Sequence, residues 1–300
     1  MNKTEQERQS PLKLIVLLAW IILFGAISVL GSSTETSMNF DNPNTISILY
    51  IGQVFGVIVL FIAPALLFSA FWTRSGIAYT GIKTKTSFTA LLIGSLGILL
   101  AFPLINWLSE VNQHMHLPSA FSGIEVWMKN SEAKAAEMTT IFTRGTSAGS
   151  LILNLFVVAF MAALSEELFF RGVLQKVLLE CIRNKHVAIW IGAICFSAFH
   201  MQFFGFFPRM LMGAYLGYLF LWSGSLWPGI VAHFVNNGMA VLLIWLINRG
   251  VIPENIDKLG MESTQWVYVV CSAVMVIVSL IMVYRVEKKR RSVIITETGI

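Results

Sequence analysis

Seven polar side chains able to do chemistry stand in the apolar second half of the chain: Glu166, Glu167, Arg171, His200, His233, Asn236 and Asn237. On a helix Glu167 and Arg171, four residues apart, share a face and can pair directly, whereas Glu166 lies about 100° around from Glu167. The two glutamates therefore cannot do the same job. Glu167 is most simply the neutralising partner of Arg171, which leaves Glu166 to face the helices that bring His200 and His233. His233 and Asn237 are again four apart and project to one side, with Asn236 expected to point elsewhere. A carboxylate in a partly desolvated cavity is a better base for activating water, and a neighbouring imidazole can share or relay the proton. A second imidazole and a carboxamide are donors of the kind that steady a developing oxyanion. Amide hydrolysis is the natural reaction class. The same Glu166, His200 and His233 also have the chemistry to ligate Zn²⁺ with water in the fourth position. Both routes stay open at this point. The sequence has no HExxH helix, and no Ser or Cys nucleophile carries a local signature of its own.

The elements that must hold these groups are read from composition. Of the 300 residues 56% are hydrophobic and 12% charged, with a mean hydropathy of +0.73, against about 25% charged in a soluble domain. That excludes a water-soluble globule, and so rich a supply of apolar residues excludes disorder. The expected fold class is an all-α, polytopic membrane helix bundle. Eight stretches are long enough to cross a hydrocarbon layer of roughly 30 Å, the fifth and sixth only just. They run over about 12–30, 46–72, 88–108, 150–179, 187–203, 207–222, 226–247 and 265–284. Cys181, Cys195 and Cys271 are odd in number and widely spaced, which fits neither a disulfide framework nor a cysteine zinc site; they read as small core residues.

Charge sets the topology. With both termini cytoplasmic, 15 of the 21 Lys and Arg residues fall in inner segments, from Lys3, Arg8 and Lys13 to the 287–291 Glu-Lys-Lys-Arg-Arg tail. The remaining six are Lys129, Lys134, Arg144, Arg209, Arg249 and Lys258. The basic excess thus belongs to topology and the anionic inner leaflet, and nucleic acid is not an expected partner. The first stretch exceeds the apolar core of a signal peptide and is expected to be an anchor. The long loop 109–149 contains a helix-prone run at 130–138, which fits either an amphipathic surface helix or a plain solvated connection.

The motifs Glu166-Glu167-Leu-Phe-Phe-Arg171, Phe196-Ser-Ala-Phe-His200 and His233-Phe-Val-Asn-Asn237, in this order and each on a predicted span, resemble the EExxxR, FxxxH and HxxxN motifs of the CPBP (Abi) family of intramembrane proteases. That family includes the type II CAAX prenyl endopeptidases and bacteriocin-processing or immunity proteins. The resemblance covers roughly residues 150–246. It implies an eight-helix bundle whose cavity opens to the cytoplasmic side and laterally toward lipid. It further implies that Glu166 and His200 activate the water, that His233 and Asn237 form the oxyanion pocket, and that Glu167 with Arg171 organises the site. The family is described both as glutamate-dependent and as metal-dependent, so the cofactor is either none or Zn²⁺ on Glu166, His200 and His233.

Three regions are expected: 1–149, a three-helix membrane region with its outer loop; 150–247, the catalytic core; and 248–300, an outer loop, a last transmembrane helix and a basic cytoplasmic tail. The expected partners are the lipid bilayer and a peptide or protein substrate, and the expected location is a bacterial inner membrane, since the chain carries no Lys-Asp-Glu-Leu retention signal. Two rival functions remain. One is a proton-coupled transporter, although no internal repeat is visible; the other is an immunity or peptide-binding protein that does not cut. Elsewhere, the aromatic run 203–207 with Arg209 reads as an interfacial belt with a snorkelling arginine, or as an apolar wall for substrate. Gly213 and Gly217, spaced GxxxG, suit close helix contact. His114 and His116 are a weak metal pair, and His186 a solvated or headgroup-facing residue.

Overall fold

A computed structural model describes residues 11–20, 22–23, 43–253, 260 and 265–298. Its described residues form helices and turns without a strand. We number the helices α1 (Pro11–Trp20), α2 (Thr45–Trp72), α3 (Phe88–Leu100), α4 (Phe102–Gln113), α5 (Ser122–Thr143), α6 (Ala148–Cys181), α7 (Lys185–Phe199), α8 (Phe206–Ser223), α9 (Trp227–Asn248) and α10 (Trp266–Thr298). Helices α2, α6, α9 and α10, and α8 extended back to Phe203, are long and apolar enough to cross a membrane; α3 and α4, bent by 44°, make a sixth if taken together. Pro103, in the first turn of α4, cannot continue the hydrogen-bond ladder of α3, and the bend falls there. Of the two remaining predicted spans, 187–203 corresponds to the short apolar helix α7, and the first is seen in α1, with 21 and 24–30 outside the described residues. The chain is an integral, multi-pass membrane protein, and its outward faces present Ile51, Phe55, Phe71, Val270 and Ile277 to the surroundings.

Local chemistry explains the boundaries. The Ser147 hydroxyl caps α6 by accepting from the Ser150 N–H at 3.1 Å, and the Asn184 side chain caps α7 by accepting from His186 and Val187. Gly224 ends α8 at φ 68°, in the left-handed region open to glycine. Helix α6 is not uniform. It widens into π-helical turns at Leu155–Met161 and Phe170–Gln175, which bracket the α-helical stretch Ala162–Phe169 carrying both glutamates.

Behind that stretch lies an aromatic block. Phe169 and Phe170, from the motif itself, pack with Phe61, Phe196 and Phe199 at ring separations of 5.0 to 5.9 Å. Gly213 and Gly217 let α8 approach α7 and α6: a Cβ on Gly213 would stand 3.1 Å from Phe196, and one on Gly217 2.9 Å from the Gln175 carboxamide. The pair serves packing within this chain. Of the cysteines, Cys181 and Cys195 are half-buried, but Cys271 is exposed on α10, so it is no core residue. The 130–138 run lies inside the single helix α5 rather than in an irregular connection.

Candidate active site

Helix geometry alone dictates the first contact. The Arg171 Nη1 donates to Glu167 Oε1 at 2.6 Å, with side-chain exposures of 3% and 0%. Two buried charges survive there because each is paired and further bonded. Arg171 also donates to the Gly213 carbonyl at 3.0 Å and lies over the Phe196 ring at 4.5 Å. Although Arg171 is one of the basic residues assigned above to an inner segment, its burial means that it contributes to the interior and not to a surface. Glu167 takes a further partner the spacing did not foretell: His233 Nδ1 lies 3.0 Å from the same Oε1. A carboxylate paired to arginine accepts, so His233 carries its proton on Nδ1. Gly229 makes room for this carboxylate, since a Cβ there would meet Glu167 Oε2 at 2.8 Å.

Glu166 faces away from this sealed cluster. Its Oε2 lies 3.7 Å from His200 Nε2 and 3.9 Å from His233 Nε2, and it has no hydrogen-bond partner. His200, just past the end of α7, places Nδ1 2.8 Å from the Phe196 carbonyl. A carbonyl only accepts, so that nitrogen holds the proton and Nε2 presents a lone pair. Glu166 Oε2 and the Nε2 atoms of His200 and His233 converge on one spot. The gaps exceed a direct hydrogen bond and match the place of a water that donates to its neighbours.

The spot opens into a cavity of about 490 Å³, lined on one side by His233, Asn236 and Asn237 and on the other by Gln202 and Arg209. Asn236 departs from expectation. It lines the same cavity as Asn237 and donates from Nδ2 to Asn237 Oδ1 at 3.1 Å, because a carboxamide is long enough to reach around the 100° that separates neighbours. That bond leaves the Asn237 amide nitrogen free to donate into the cavity. Arg209 likewise turns inward instead of snorkelling: it donates to the Gln202 carbonyl at 3.2 Å and side-chain oxygen at 2.5 Å. The aromatic run beside it is tied down, as Asn112 bonds both the Phe203 carbonyl and the Phe207 N–H at 3.0 Å and Trp127 packs on Phe203 at 5.3 Å.

On α5, burial pushes the Glu132 carboxyl up from its ordinary value, opposed by the Phe204 N–H and by Arg209. At the outer rim Glu125 is held down to about 2 by Lys129, His116 and the Leu117 N–H. His116 is thus an ion-pair partner of Glu125 at 3.0 Å, and His114 bonds the Glu110 carbonyl at 2.8 Å. His186, exposed, bonds Tyr218 at 2.8 Å.

Glu166, His200 and His233 are donor types that zinc takes, and their gaps are slightly wider than those of a tetrahedral site. Ligands 2.0 to 2.1 Å from a tetrahedral ion stand about 3.4 Å apart, and both separations from Glu166 are longer. No group of three or more His, Cys, Asp or Glu among the described residues could hold a metal ion.

Residues 148–239, about a third of the chain, match the family described as Type II CAAX prenyl endopeptidase Rce1-like. The match contains Glu166, Glu167, Arg171, His200, His233 and Asn237. The chain is also similar to the uncharacterized protein YpbD of Bacillus subtilis (strain 168), 27% identical over 88 residues, which are 28% of this chain and 42% of that relative. The chain thus spans less than half the length of that relative. No solved structure matches.

Proposed function

We propose that this chain is an intramembrane endopeptidase that hydrolyses a peptide bond of a hydrophobic or membrane-associated polypeptide with water activated by Glu166 and His200. The observation that carries this reading is the unpartnered Glu166 oxygen facing the Nε2 atoms of two imidazoles at the wall of a cavity. Water held there donates to Glu166 Oε2 and His200 Nε2. As its oxygen attacks the scissile carbonyl, its proton passes to this pair, and the carbonyl π electrons move to the oxygen. Asn237 Nδ2 donates to that oxyanion. His233 joins it through Nε2–H as the imidazolium, with a proton taken up from solvent when substrate binds and kept through turnover, and Glu167 stabilises that cation from behind in the manner of a triad carboxylate. When the C–N bond breaks, the stored proton goes to the departing amine, and the products are one carboxylate and one amine. Arg171 holds Glu167 in place and touches no reacting atom.

Purified protein in detergent tests this with a set of hydrophobic peptides followed by mass spectrometry. Wild type cuts, whereas Glu166→Gln and His200→Ala retain the melting profile and lose cleavage. Equal rates in all three overturn the assignment, and binding without cutting in wild type favours the peptide-holding alternative. Activity is expected to persist after exhaustive dialysis against a chelator.

A further inference from the structure

Glu166 and His200 stand at the junction of two cavities. The one already described is polar near the catalytic pair. The second, about 460 Å³, shares Thr139, Thr143, Val158 and Gln202 with it and runs toward α2 past apolar side chains such as Leu60, Phe61 and Phe142. From Glu166, midway along α6, and His233, in the first third of α9, the walls of both reach one end of the bundle, where Ser109 of α4, Thr139 and Thr143 of α5, Gln202 and Arg209 line them.

The opposite end is a separate structure. There the 73–87 connection, the start of α9 and the tail of α10 are bonded together: Leu226 N–H to the Gly81 carbonyl at 3.3 Å, Ser225 Oγ to the Thr84 carbonyl at 2.6 Å, and Thr86 Oγ and Ser87 N–H to buried Glu287 at 2.7 and 3.0 Å. Lys13 pairs with Glu180 at the same end, at 3.2 Å. This end carries Arg74, Lys83 and Lys85 in a short connection, Arg183 and Lys185 in another, and five Lys or Arg between 285 and 291, against Glu180, Glu287 and Glu297. At the cavity end Lys129, Lys134, Arg144 and Arg249 are balanced by Glu110, Glu125, Glu132 and Glu137. An excess of Lys and Arg in short loops marks the cytoplasmic face. Helix α7 then measures depth. Its 15 residues rise about 22 Å, short of the roughly 30 Å of hydrocarbon. With Lys185 anchored at the basic face, His200 lies a little inside the other one.

We infer that the Glu166–His200 site works from the non-cytoplasmic side, on a membrane-anchored polypeptide cut where it emerges from the outer leaflet. The apolar cavity accepts the part of the substrate still in lipid, and the cavity bearing Gln202, Arg209 and the asparagines accepts the part in water. This replaces the cytoplasmic opening that the family resemblance implies, since the cavity and the basic loops lie at opposite ends. The substrate class rests on the proposed protease activity; the facing does not.

Two measurements separate them. The first uses the full chain in the plasma membrane of intact bacterial cells, with Cys181, Cys195 and Cys271 replaced by serine, one exposed cysteine introduced at a time, and a membrane-impermeant maleimide. Ala133→Cys on α5 is expected to label in intact cells and Lys289→Cys only after permeabilisation. Labelling of Lys289→Cys in intact cells overturns the facing, whatever the protein's activity. The second adds one cleavable hydrophobic peptide to right-side-out and to inverted sealed vesicles, with Glu166→Gln as the blank. Cleavage at least tenfold faster in right-side-out vesicles supports the inference, and the reverse preference overturns it. If labelling is as expected but neither vesicle cuts a peptide that binds, the protease reading fails and the facing stands.

Discussion

Glu166 and Glu167 are adjacent in sequence and on one turn of α6, yet they occupy opposite kinds of environment. Glu167 is wholly buried and bonded to both Arg171 and His233 through one oxygen. Glu166 is 12% exposed, touches the cavity, and leaves Oε2 unbonded. The difference shows how a membrane protein can keep a reactive carboxylate: a neighbour absorbs the local cation and fixes an imidazole, so that the other carboxylate is left to solvent and substrate. Both carboxylates leave Oε2 without a hydrogen bond; what separates them is that Glu167 Oε1 holds Arg171 and His233, whereas Glu166 Oε2 faces a cavity.

The comparison breaks most directly at Glu166. Glu166→Gln removes the base while keeping its volume, so cleavage should fall by about 10²- to 10⁴-fold with an unchanged melting temperature; a large loss of stability would mean that Glu166 is structural after all. Glu167→Gln should do the opposite. It leaves Arg171 charged and buried with a weaker partner, a loss of about 3–5 kcal/mol in stability, read as a fall in melting temperature with activity lost along with folded protein. Gly229→Ala presses a methyl group against Glu167 Oε2 and should cost about 1–3 kcal/mol, visible in the same melts and without contact to the cavity. Asn236→Ala removes the bond that orients Asn237. At about 0.5–1.5 kcal/mol it should slow turnover several-fold while leaving peptide binding and melting nearly unchanged.

A third carboxylate sets the lower end of the scale. Glu125, at the watery rim of α5, has its folded-state value depressed to about 2. A depressed carboxylate contributes stability above its unfolded value, and the contribution is lost as pH falls toward the folded one. The small difference in melting temperature between wild type and Glu125→Gln should therefore be present at neutral pH, shrink below about 4.5, and vanish near 2. Because this site is exposed and screened, the difference is expected to be the least of the series.

Much of the site was legible before any coordinates. The i, i+4 pairing of Glu167 with Arg171 and the turning of Glu166 to another face follow from 3.6 residues per turn, and both are present. The bent third span, the half-length α7 and the second bond of Glu167 were not legible. Each depends on how neighbouring helices meet: Pro103 deflects α4, Gly213 and Gly217 draw α8 onto its neighbours, and Gly229 opens the space that brings His233 to Glu167. Asn236 and Arg209 were assigned away from the cavity because helix periodicity places a Cβ but not the end of a long side chain.

By itself the sequence determined the medium, the helical class of the fold and the two-sided arrangement of the glutamates, since hydropathy and helical period are local properties of the chain. The tertiary structure alone decided which imidazole Glu167 orients and that two cavities meet at Glu166. Those are relations between helices, set by where small residues allow close approach and where proline and π turns redirect the chain.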